Sequence, residues 1–163
     1  MEWDISAECV SVIMLNIIMV YSWKGNLLPS RKNQAFRACL LITYLSILTN
    51  ILSTLLLAQL SPSTILINQV LLHLNYISTP LMGVVYFIYT LTTVFEQDPD
   101  KLKKHILFAG IPALLYLLCL LSNPLTHLLF TLDLAVGYER GPWVSLTYIV
   151  FYIYVLFSVF FTI

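Results

Sequence analysis

Gln69, His73 and Tyr76 are spaced at steps of four and three, so a helix through them carries an amide, an imidazole and a phenol on one face. Pro80, Gly83 and Phe87 continue the same stripe. A second polar group surrounds Asn50, with Thr49, Ser53 and Thr54 beside it. A third runs from His127, the one side chain there that titrates near neutral pH, through Asp133 and Arg140 to Tyr148. Such residues recognise ligands by hydrogen bonding and charge. They do not make a reaction centre, because no acid/base pair and no metal-ligand spacing accompanies them. The sequence predicts no catalytic residue, no metal and no cofactor. The same amides and hydroxyls have a plainer use, bonding helix to helix in a membrane at about 0.6 kcal/mol each. For His73 a helix contact is the simpler role. Both readings stand on these residues alone.

The elements that must position them are set by composition. The chain has 163 residues, 60% hydrophobic and 10% charged, with a mean hydropathy of +0.89. Soluble domains carry about 25% charged residues, so lipid is the main solvent. A net charge of zero argues against a nucleic-acid surface. Cys9, Cys39 and Cys119 lie within apolar runs and read as small hydrophobes. Glu2 and Asp4, where a signal peptide opens with Lys or Arg, predict that the first apolar run stays as a helix.

Apolar runs predict an all-α polytopic membrane helix bundle with five transmembrane helices, at about 3–23, 36–60, 65–95, 106–121 and 143–163. Trp3 and Trp23 lie about 30 Å apart along a helix, matching the hydrocarbon thickness, and predict its two edges. Pro80 predicts a kinked helix and not two helices. Asn123-Pro124 predicts the stop of the fourth span, and residues 125–130 are expected to dip back against the membrane surface. Gly141-Pro142 turns the chain into the fifth span. All the Lys and Arg except Arg140 fall in the turns after the first and third spans. The positive-inside rule then puts the N-terminus outside, the 122–142 stretch outside and the C-terminus in the cytoplasm. The last span, with no cation after it, predicts that these residues are a fragment of something longer.

Asn123-Pro124 with His127, and Arg140-Gly141-Pro142 followed by Tyr148, resemble the seven-transmembrane N-terminal sensor region of bacterial histidine kinases and GGDEF diguanylate cyclases. The turn from Lys24 to Ser30 and the segment from Thr79 to Leu91 are similar to versions carried by Clostridia-type cyclases. The resemblance implies seven helices, of which five are in this sequence, a cytoplasmic output domain, and a place in the bacterial cytoplasmic membrane. It implies a sensory input module, expected to work as a homodimer in the lipid bilayer and to read a small extracellular ligand through Asn50, Gln69, His73, Tyr76, His127, Asp133, Arg140 and Tyr148. Asn123, Pro124, Gly141 and Pro142 are expected to shape the loop. A small standalone transporter or lipid-handling protein is the alternative, and an inert anchor a third reading.

Overall fold

A computed structural model describes residues 6–24 and 30–163. Trp3 and most of the Lys24 to Ser30 turn lie outside the described residues. Among the described residues, five helices are long and apolar enough to cross a membrane: α1 (Ser6–Lys24), α2 (Arg31–Leu57), α3 (Ile65–Val94), α4 (Pro99–Thr126) and α5 (Ser145–Thr162). The chain is a membrane protein built as a helix bundle. Leu, Ile, Val and Phe side chains remain exposed along the helices, as lipid contact requires.

The long middle helix is the axis of the bundle. α3 packs against α2, α4 and α5, and against the strand that follows α4. Its buried residues include Asn68, Leu72, Tyr76, Ser78, Pro80, Gly83 and Phe87. Gly83 is where α5 comes closest: an added Cβ would lie 2.9 Å from the Phe151 carbonyl oxygen. Packing without a hydrophobic drive between helices relies on such close approach.

Pro80 and Pro112 lie inside α3 and α4, and a tyrosine from a neighbouring helix bonds the backbone near each. Pro80 has no N–H to give the carbonyl of Tyr76, four residues earlier. The Tyr116 hydroxyl donates to that carbonyl at 2.8 Å and meets Thr147 Oγ1 at 3.0 Å. α3 therefore runs through Pro80 as one helix. Beside Pro112, the Tyr154 hydroxyl accepts from the Ala113 N–H at 3.1 Å and donates to the Ala109 carbonyl. Those are the two groups that the i→i−4 pattern would join directly. Tyr116 and Tyr154 are both buried.

α4 departs from the expected span at both ends. It starts at Pro99 because the Asp98 carboxylate accepts from the Lys101 N–H at 3.2 Å and proline suits the first turn. The side-chain hydrogen bond from Lys101, at 2.9 Å, holds the Asp98 carboxyl below the usual carboxylate range. That capping contribution is thus present above the ordinary Asp range and lost as pH falls through the depressed value. At the other end the expected stop at Asn123-Pro124 does not occur. The helix continues to Thr126 and ends where His127 takes a left-handed conformation, φ 54°, its N–H bonded to the Asn123 carbonyl at 2.8 Å. The restriction before proline is a preference, and the bonds made by Asn123 described below outweigh it.

Residues 130–140 form an antiparallel hairpin, β1 (Phe130–Asp133) and β2 (Gly137–Arg140), within the stretch that the sequence predicts as an outside loop. The stretch expected to lie on the membrane surface instead sends Leu129 and Phe130 into the core. Gly137, at φ 86°, closes the three-residue turn.

Gly83→Ala should destabilise the bundle by about 1–3 kcal/mol through forced separation of α3 and α5. Tyr154→Phe should lose roughly 1–2 kcal/mol. Gly110→Ala, where an added Cβ meets nothing within 4 Å, should be neutral or stabilising. Reversible unfolding in mixed micelles measures all three, and equal effects at Gly83 and Gly110 would refute the packing account.

Candidate ligand-binding site

At the hairpin end of the bundle the helices leave a cleft of about 120 Å³. α2 supplies Asn50, Ser53 and Thr54; α3 supplies Asn75, Tyr76 and Thr79. Tyr138 and Arg140 come from β2, and Thr147 and Tyr148 from the first turn of α5.

The hairpin is fixed to α4 by one buried amide. Asn123 Oδ1 accepts from the Leu129 N–H at 2.7 Å and the Phe130 N–H at 3.3 Å, while Nδ2 donates to the Phe130 carbonyl at 3.0 Å. These bonds satisfy backbone groups that helix and strand both leave unpaired. Gly141 closes the base of the hairpin, its N–H bonded to the Leu129 carbonyl at 2.9 Å. Any Cβ at Gly141 would fall 2.2 Å from the Leu128 carbonyl oxygen, so only glycine fits. The alternation of a strand then puts Tyr138 and Arg140 on one face with Phe130 and Leu132, and Glu139 with Thr131 on the other.

Polar groups of the cleft are tied to one another across elements. Asn75 Nδ2 donates to Asn50 Oδ1 at 3.3 Å, and Asn50 Nδ2 donates to Glu8 Oε1 of α1 at 3.1 Å. The hydroxyls of Tyr76 and Tyr138 meet at 2.8 Å, joining α3 to the hairpin. Phe130 stacks on Tyr76, ring centroids 4.9 Å apart, and takes the His73 ring edge-on at 5.0 Å. Thr147 connects the cleft through Tyr116 to the carbonyl freed by Pro80. Ser53, Tyr76 and Thr147 are buried, whereas Arg140 and Tyr148 are exposed at the mouth.

Of the side chains picked from the sequence, the structure brings Asn50, Tyr76, Arg140 and Tyr148 together in the cleft. Four others lie elsewhere. Gln69 offers its backbone carbonyl to His73 Nδ1 at 2.7 Å, and the His73 ring is used against Phe130. His127 is the exposed C-cap of α4. Asp133 Oδ1 accepts from the Ala135 N–H at 2.7 Å and belongs to the hairpin turn. The α3 face that lines the cleft centres on Leu72, Asn75, Tyr76 and Thr79. It is offset by one residue from the stripe through Gln69 and His73. Pro124 and Pro142 are exposed and line no part of the cleft. Sequence reasoning missed Tyr138 and Thr147 as site residues. The alternation Phe130-Thr131-Leu132-Asp133 with Gly137 after it was the signal for the strand that carries Tyr138.

A bundle of membrane helices with a roofed polar cleft fits many activities, so relatives decide the family. The family model for the N-terminal 7TM region of histidine kinase matches residues 8–163. The chain belongs to that family. No curated protein and no solved structure matches it. Membership implies that this 7TM region is a membrane sensory input module of histidine kinases.

Asn123→Ala should cost about 2–3 kcal/mol, since three net hydrogen bonds are lost and buried backbone groups are left unpaired. Limited proteolysis at residues 134–136 should become faster in that variant and in Gly141→Ala. A hairpin that stays as resistant as in the parent chain would refute the clamp assigned to Asn123.

Proposed function

We propose that this 7TM region reads a small extracellular ligand in the cleft between α2, α3, α5 and the hairpin, and controls a cytoplasmic output domain. That output is a histidine kinase or a GGDEF diguanylate cyclase, and the assembly sits as a homodimer in the bacterial cytoplasmic membrane. The observation that supports this reading is the concentration of amides, phenols and one guanidinium at the hairpin end, while Lys and Arg otherwise gather at the opposite end. Under the positive-inside rule that arrangement faces the cleft outward. The Thr147–Tyr116–Tyr76 bonds offer a route from the cleft to the Pro80 region of α3. Shifts of about 1–2 Å between helices are the usual output of such bundles.

Two measurements on the intact gene product test it. A cysteine introduced at Asp133 should react with an impermeant thiol reagent applied to whole cells, and one at Lys103 should not; the reverse pattern ends the outward assignment. Asn75→Leu should reach the membrane at parental levels yet need at least about tenfold more stimulus to change kinase or cyclase output. Solute flux into proteoliposomes with an unchanged output response would replace the sensor reading by the transporter one.

A further inference from the structure

Arg140 is set apart from every other cation in the chain. The remaining Lys and Arg lie between Lys24 and Arg37 or between Lys101 and Lys104, at the other end of the bundle. Among the described residues no acid pairs with it: the ion pair present joins Lys101 to Asp98. Among the described residues, the acids on its own side of the bundle are otherwise engaged or turned away. Asp133 is bonded within its turn, Glu139 belongs to the opposite face of β2, and the Glu8 carboxylate is held by Asn50.

A guanidinium that lines a polar cleft and has no acid beside it among the described residues is suited to recognising an anion. Its planar fork of five donors matches carboxylate and phosphate oxygens, and such charge-assisted bonds are about twice as strong as neutral ones. The neighbouring groups extend the match. In the Tyr76–Tyr138 pair one hydroxyl donates to the other, so one of the two phenol hydrogens is left to point at a ligand. Asn75 spends one amide hydrogen on Asn50 and keeps its carbonyl oxygen for a ligand donor. Drug-sized ligands need pockets of about 300 Å³ or more, so a cleft of about 120 Å³ takes a solute of a few heavy atoms or one end of a larger molecule.

Resting on the cleft reading above, we propose that Arg140 makes this a site for a small oxyanion, a carboxylate or phosphate whose charge is bound by the guanidinium while its polar remainder reaches Asn75 and the tyrosine pair. Thr79 reports on occupancy because it lines the same cleft. The chain, with its three native cysteines replaced by alanine and Thr79→Cys added, is placed in phosphatidylcholine nanodiscs and treated with N-ethylmaleimide. Acetate, succinate and inorganic phosphate are compared with glycerol at equal ionic strength. A bound anion present at about ten times its Kd should slow modification roughly tenfold. Arg140→Gln should abolish that protection, and Arg140→Lys should keep part of it. Protection in phosphatidylglycerol nanodiscs without added anion would assign the oxyanion to a lipid headgroup; protection by dissolved anions alone would assign it to a solute.

Protection that survives Arg140→Gln, or that glycerol gives and anions do not, overturns the oxyanion class and leaves the cleft reading in place. A thiol at position 79 that reacts equally under all conditions, or never reacts, overturns both. If the cysteine replacements impair folding, the melting temperature of the parent chain decides the same question. It should rise with phosphate or succinate in the parent and stay fixed in Arg140→Gln; a rise in both, or in neither, refutes the proposal.

Discussion

A carbonyl without a donor is intolerable in hydrocarbon, where water cannot supply one. Pro80 leaves the Tyr76 carbonyl without its helical donor, and Tyr116 on α4 supplies one; near Pro112, Tyr154 on α5 bridges the Ala113 N–H and the Ala109 carbonyl of α4. These bonds do more than repair the backbone. They link α3 to α4 and α4 to α5 at defined heights, so the relative depth of the three helices is set by hydrogen bonds as well as by packing. Around them lies the buried cluster of Leu72, Tyr76, Phe87, Tyr116, Val150 and Tyr154.

The cleft inherits its shape from that arrangement. Tyr76 belongs to both systems, since its carbonyl is repaired by Tyr116 while its hydroxyl meets Tyr138 of the hairpin. Thr147 does the same from α5, lining the cleft and bonding Tyr116. A polar site beside lipid is stable only where its groups are mutually satisfied, and most of the polar side chains that line this one bond either another cleft group or a nearby backbone carbonyl. Arg140 stands outside the network, at the mouth.

Much of this is legible in the residues. Long apolar runs with almost no charge leave few alternatives to spanning helices, and Pro80 without a polar linker beside it leaves one helix, as the structure has it. The ends of α4 escape local rules applied one at a time. Asp98 and Pro99 together start a helix through a charged stretch, and Asn123 is worth more as a clamp than as a stop. The hairpin is hidden because its alternating residues sit among longer apolar runs. In the site, Asn50, Tyr76, Arg140 and Tyr148 can be picked by type alone. Gln69, His73, His127 and Asp133 cannot be sorted from them, since an offset of one residue on α3 and one strand face decide who reaches the cleft. Tyr138 and Thr147 become site residues only through a tertiary arrangement that no window of sequence contains.

The repair of the Pro80 gap by Tyr116 has a consequence for how such a sequence drifts. Phenylalanine in place of Tyr116 leaves the Tyr76 carbonyl bare as long as position 80 is proline, and once that position regains an N–H it costs only the bond to Thr147. The two positions are therefore bound into one unit of variation. Divergent members of the family should keep or shed this pair together, however freely the lipid-facing residues between them change.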